Sequence, residues 1–177
     1  MSKPKITIGL TNPKSPSNVG SVMRAAGCFG ADEVYYTGQR YDIAAKFSTD
    51  TRNMSNKILL EGVESLIECA DPKAKIICVE LVEGATCLPD FQHPENAHYI
   101  FGPEDGNISQ AIIDQADEVV YLPTVGCLNL AATVNVVLYD RVAKSDLSFA
   151  GDDLIRSSRD VNNRAKVKSS PDKNKPE

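Results

Sequence analysis

The feature that most constrains this chain is an alternation of short apolar runs with longer segments of helical period. Residues 5–10, 33–37, 75–81, 98–101 and 118–122 form brief runs rich in Ile, Val or Tyr, the composition of strands. Between them, residues 19–29, 56–70, 109–115 and 128–144 read as helices. This alternation predicts an α/β domain whose mostly parallel sheet carries helices on both faces. Residues 38–55 have no clear period and set Arg40, Lys46 and Arg52 against Asp42 and Asp50. Open sheets of this class bind ligands beyond the carboxyl ends of their strands. That directs attention to three loops, residues 11–18, 102–108 and 123–129.

Composition narrows the class further. At 177 residues the chain has room for one core, expected over residues 1–150. No apolar run approaches the ~20 residues of a membrane span, and the polar N-terminus does not read as a signal peptide. Five scattered cysteines without a C-x-x-C pair (Cys28, Cys69, Cys78, Cys87, Cys127) argue against a disulfide framework and for a reducing, cytoplasmic compartment. The net charge of −5 hides an asymmetry: residues 156–177 hold seven bases against three acids, leaving −9 on the rest. Residues 151–177 are therefore expected to form a basic, disordered tail. Either it solubilises the chain or it neutralises phosphates.

The first loop runs Asn12-Pro-Lys-Ser-Pro-Ser-Asn18 into Val19-Gly-Ser-Val-Met-Arg24, with Asn18 the expected N-cap. At 100° per residue Val19, Val22, Met23, Ala26 and Phe29 share the core stripe, and Gly20, Arg24 and Gly27 fall opposite. Arg24 on that face is either a solvent-facing charge or an anion ligand near the positive helix end. The second loop, Phe101-Gly-Pro-Glu104-Asp-Gly-Asn107-Ile, carries two acids that read equally as site residues or as first-turn acids of the next helix. The third runs from Leu122-Pro123 to Cys127-Leu-Asn129, where Asn129 is a candidate cap. The helix after it is too apolar for an ordinary surface helix and is expected to pack on two sides, one of them another subunit. Phosphate-loop, dinucleotide and serine-hydrolase signatures are missing. His93 and His98 lack a third metal ligand, so no metal is expected.

Together, and in this order, the three loops resemble motifs 1, 2 and 3 of the SPOUT superfamily of RNA methyltransferases, in its SpoU (TrmH-like) branch. Asn18-Val-Gly-Ser-Val-Met-Arg24-Ala-Ala is similar to N-x-G-x-x-x-R-x-A. Residues 101–108 are similar to F-G-P-E-x-x-G-L, and Leu122-Pro123 with Cys127-Leu-Asn129-Leu to I-P-M…S-L-N-V-S. The resemblance covers roughly residues 5–145. It implies a deep C-terminal trefoil knot, a homodimer, and methyl transfer from S-adenosylmethionine to a ribose 2′-hydroxyl of RNA, transfer RNA slightly favoured over ribosomal RNA. By position it implies catalytic roles for Arg24, Asn18, Glu104 and Asn129, and cofactor contacts from Gly102, Leu122, Cys127, Leu128 and Leu81. A guanidinium pKa above ~12 favours Arg24 as a clamp on phosphate and 2′-oxygen over Arg24 as base. Three positions depart from the pattern. Cys127 replaces a serine, the 123–127 link is about three residues short, and Asn107 replaces a glycine. The first two leave open an alternative, a knotted RNA-binding protein without catalysis.

Overall fold

The computed structural model describes residues 3–46 and 58–167. Seven parallel strands form one sheet: β1 (Ile6–Leu10), β2 (Glu33–Tyr36), β3 (Leu59–Gly62), β4 (Lys75–Val79), β5 (Thr86–Cys87), β6 (Ala97–Phe101) and β7 (Glu118–Tyr121). Their spatial order is β3-β2-β1-β6-β4-β7-β5. The chain thus runs from β4 to the β5 edge, returns to insert β6 between β1 and β4, and then seats β7 between β4 and β5. Register aligns the strand ends, with Leu10 opposite Phe101 and Phe101 opposite Val79. The loops that follow β1, β4, β6 and β7 therefore leave from one edge.

Strand β6 is buried along its whole length, and its side chains divide the core in two. Ala97, Tyr99 and Phe101 join Ile8, Leu10 and Val120 on one face, beneath α1 (Pro16–Phe29) and α4 (Leu130–Ala143). Ile100 joins Leu66, Cys78 and Ile108 on the other, where Ile112 and Ile113 of α3 (Gln110–Ile113) also pack. Covering both faces is what makes the strands apolar runs without alternation.

Three stretches differ from expectation, the first being β5, which lies where the sequence predicts no element. Residues 38–46 hold a short α2 (Arg40–Ala45), while Asp50 and Arg52 lie outside the described residues. The helix expected over 56–70 is absent from its described part: the chain forms β3 and then turns. β2 offers a free edge there, and pairing from Leu59 opposite Glu33 to Gly62 opposite Tyr36 satisfies the backbone at once. Leu66, in the turns that follow, drops its side chain into the far core.

The C-terminal half of α4 is fastened to the segment preceding β6. Arg141 donates to the carbonyls of Pro94 (2.6 Å) and Glu95 (2.7 Å). Lys144 donates to those of Leu88 (2.6 Å) and Phe91 (3.0 Å). His93 bridges the Tyr99 hydroxyl (2.7 Å) and the Asp140 carboxylate (2.8 Å). The sheet separates it from His98, which bonds Thr7 Oγ1 at 2.7 Å on the other face.

The chain divides after Ser145 into two compact units. The second, expected from the sequence to start at 151 and to lack structure, contains among its described residues the helix α5 (Asp152–Ser158). Asp152 and Asp153 in its first turn suit the positive helix end, and Arg156 pairs with Asp153. Among the described residues no helix is long and apolar enough to cross a membrane.

Candidate active site

The first loop leaves β1 tightly held. Thr11 donates from both its backbone nitrogen (3.0 Å) and its hydroxyl (2.8 Å) to the Phe101 carbonyl. Asn12 then takes a left-handed φ of 42°, and Gly38, at φ 78°, lies so close that a Cβ there would collide with the Asn12 side chain. Helix α1 begins three residues before the position expected. Ser15 is its N-cap, accepting from the Asn18 backbone nitrogen at 3.3 Å, and Pro16 occupies the first turn. Proline suits that place because the N–H it lacks has no intrahelical partner there. Asn18 is thus inside the helix, and its side chain is free for another task.

That task is to hold Glu104. One Glu104 oxygen accepts from Asn18 Nδ2 (3.0 Å) and the Ser15 backbone nitrogen (3.1 Å); the other accepts from the Lys14 backbone nitrogen (3.0 Å). Burial by itself would raise the Glu104 carboxyl, but these donors outweigh it and hold the group below the ordinary carboxylate range. Glu104 is therefore not a first-turn acid of the following helix, which starts only at Gln110 with Ser109 as its cap. It joins the second loop to the start of α1 instead. Asp105 makes a parallel link, to Arg40 of α2 at 2.8 Å and Lys14 at 3.4 Å. These cations hold its carboxyl low, the hydrogen bond from Arg40 most of all. Asn107 does not use the left-handed region that glycine would favour.

On the other side of the second loop stands Glu80, at the end of β4, which the sequence reading did not single out. Its two oxygens accept from the backbone nitrogens of Leu81 and Ile108, each at 2.9 Å. A Cβ at Gly102 would come within 3.1 Å of Glu80 Oε2, so glycine is what lets the carboxylate lie against the loop. The only available signal was position: an acid ending a strand whose carboxyl end faces the ligand edge.

The third loop leaves the buried Leu122 and stays exposed from Pro123 to Asn129. Thr124 tightens it, donating from its hydroxyl to the Gly126 carbonyl at 2.7 Å. Asn129 caps α4, its Oδ1 accepting from the Ala132 nitrogen at 2.8 Å. Leu130, Ala131, Val134, Val137 and Leu138 of that helix are buried. Val136 and Tyr139 remain 40% and 63% exposed, so within this chain α4 packs on one side.

These strand ends enclose a cleft of about 440 Å³. Of the polar residues expected at the site, Asn18, Glu104 and Asn129 line it; of the expected cofactor residues, Leu81, Gly102, Leu122, Cys127 and Leu128 all do. Arg24 does not: it lies on the exposed face of α1 with Gly20 and Gly27. Val79, Phe101 and Leu130 add apolar wall. A partly apolar ligand with a positive centre fits such a lining, which includes the carboxylates of Glu80 and Glu104 and, among the described residues, no basic side chain.

Residues 5–139 match the model of the SpoU rRNA methylase family. No curated protein sequence matches. Among solved structures, a TrmH-family protein from Porphyromonas gingivalis superposes with a TM-score of 0.69 at 17% identity, over 81% of this chain and 61% of that one. The SpoU methyltransferase AviRb from Streptomyces viridochromogenes, solved in complex with AdoMet, gives 0.65 at 19% identity, over 81% and 58%. A structure solved for 2′-OH methylation of C/U34 on tRNA gives 0.68 at 19%, over 81% and 92%. This chain therefore spans about three-fifths of the first two and nearly all of the third. At these identities the superpositions establish the fold, and the re-entrant strand order agrees with the knot that the family implies. The family model covers all three motif loops and the strands that present them, and the chain belongs to the SpoU rRNA methylase family.

Proposed function

We propose that this chain transfers a methyl group from S-adenosylmethionine to a ribose 2′-hydroxyl of RNA, with transfer RNA slightly favoured over ribosomal RNA. The observation that carries the reading is the convergence of all three motif loops on one cleft, with Glu104 pinned by Asn18 at the start of the helix that bears Arg24. Gly102, Leu122, Cys127, Leu128 and Leu81 would hold the cofactor. Bound there, it would supply an electrophilic methyl group for the 2′-oxygen, and the proton of that hydroxyl would pass to solvent. Asn18 and Glu104 fix the second loop, so the cofactor side of the cleft is set before substrate arrives. Arg24, with its fork of donors, orients phosphate and 2′-oxygen. Asn129 fixes the third loop by capping α4.

Arg24 stands outside the cleft of its own chain, and Leu128, Val136 and Tyr139 stay exposed beside the cleft and on α4. Both features support a homodimer in which a second copy covers that surface. A monomer at micromolar concentration in analytical ultracentrifugation would reject it. The basic residues from Arg156 onward assist RNA docking, so deleting 156–177 should weaken RNA binding and flatten its salt dependence. The protein acts in the reducing cytoplasm.

The deciding experiment is transfer of labelled methyl to total RNA from cells lacking this protein, comparing the native chain with Arg24→Ala. Label in one RNA size class, lost in the variant, is the expected result. Sugar and base methylation are then separated by nuclease digestion and mass spectrometry. Absence of label in every class, from a folded protein, would overturn the reading.

A further inference from the structure

The cleft has a charge imbalance that methyl transfer alone does not require. Glu80 and Glu104 line it, and no lysine, arginine or histidine does so among the described residues. The Glu104 charge is shared among three donors at the start of α1, beside the positive helix end. Glu80 is differently placed. Both its oxygens meet neutral backbone N–H groups, of Leu81 and Ile108, and among the described residues it enters no ion pair. A carboxylate held by amides has no counter-charge beside it, and within a cleft its field acts on a ligand more strongly than in open water. It is also held in place, because releasing it would leave the half-buried Ile108 N–H without its acceptor.

We infer that Glu80 is a specificity-determining residue that makes the cleft prefer the sulfonium cofactor over the thioether left after transfer. The inference rests on the reading that this cleft binds S-adenosylmethionine. The two molecules differ by one methyl group and one positive charge at sulfur. An apolar pocket tells them apart only by the methyl, whereas an uncompensated carboxylate adds an attraction that disappears when the reaction is complete. Discrimination of this kind speeds exchange of product for fresh cofactor, because the group that favours one no longer holds the other.

Calorimetric titration of the full chain and its Glu80→Gln variant tests this with three probes: S-adenosylmethionine, S-adenosylhomocysteine, and sinefungin, which carries a cationic amine in place of the sulfonium. Glutamine keeps an acceptor for the loop and removes the charge. The expected result is about tenfold weaker binding of the two cationic probes, with S-adenosylhomocysteine changed less than about twofold. Equal weakening of all three would overturn the inference, leaving Glu80 as a support for the loop; so would no change in any. Should the variant not fold, the native chain decides. Its preference for S-adenosylmethionine over S-adenosylhomocysteine should narrow as salt rises from about 0.02 to about 0.5 M, and a constant preference overturns the inference. A native chain that binds none of the probes refutes the cofactor reading itself and takes the inference with it.

Discussion

Lowering the pH puts a load on one residue in the middle of the sheet. His98 is fully buried on β6, its Nδ1 against Thr7 Oγ1 and its Nε2 without a well-formed hydrogen bond among the described residues. Burial pushes its pKa down to about 4, and the Leu66 backbone offsets only part of that. In the unfolded chain the imidazole titrates near ~6.5. Between those values the unfolded state binds a proton that the folded state refuses, so stability falls as the pH drops from about 6.5 toward about 4. At about 1.4 kcal/mol for each tenfold difference in proton affinity, the gap amounts to about 3 kcal/mol at pH ~4. The assay is urea unfolding followed by far-ultraviolet circular dichroism, since the chain has no tryptophan. It should be run on the native chain and on His98→Gln at several pH values from about 7 to about 4. Other groups with lowered pKa values, among them His93 and Glu104, contribute equally to both proteins. The native chain should therefore lose about 3 kcal/mol more than the variant across that range. Parallel stability curves would refute the argument that His98 is buried neutral.

The remaining predictions concern the loops. Glu104→Gln should reduce stability at neutral pH by about 2 kcal/mol, because three hydrogen bonds lose their charged acceptor. The Glu104 pKa lies below its unfolded value, so this contribution is complete above about pH 4.5 and disappears as the pH falls through the folded pKa. A variant whose urea midpoint matches the native one at pH ~7 would contradict it. Gly38→Ala should destabilise by more than about 1 kcal/mol, from a left-handed φ of 78° and collision with Asn12; thermal unfolding measures it. Ser15→Ala should cost about 1 kcal/mol as loss of an N-cap. An unchanged melting temperature would return the cap to Asn18.

The sheet and its main helices were legible because their signals are local. β1, β2, β4, β6 and β7 lie within one residue of the expected start and two of the expected end, and the stripe Val19, Val22, Met23, Ala26 is buried on α1 as its period requires. What could not be read depends on distant partners. Leu59–Gly62 has an apolar pattern that suits a helix as well as a strand, and only the open β2 edge decides between them. Asn18 looked like a cap although Ser15 followed by Pro16 is itself a local helix-start signal; what no local feature reveals is that Glu104 waits 86 positions downstream for the Asn18 amide. Glu80 was overlooked for the same reason. Its two bonds run to its own neighbour and to a backbone nitrogen 28 residues away. Motif resemblance supplied the grouping of the three loops, and the fold supplied the contacts that hold them together.

The order in which the strands are laid down has a consequence for biosynthesis. β1 leaves the ribosome early, yet its neighbour β6 lies 91 residues later, Ile6 pairing with Ala97. β7 must then enter between two strands that already exist in the chain. Eight of the 18 residues that line the cleft, from Tyr121 to Thr133, are made only after β1 to β6 are complete. A nascent or truncated chain can therefore collapse around β1, β2 and α1 without presenting a cleft. Such long-range closure is slow, and ligand uptake becomes a report that synthesis has reached the far side of the sheet.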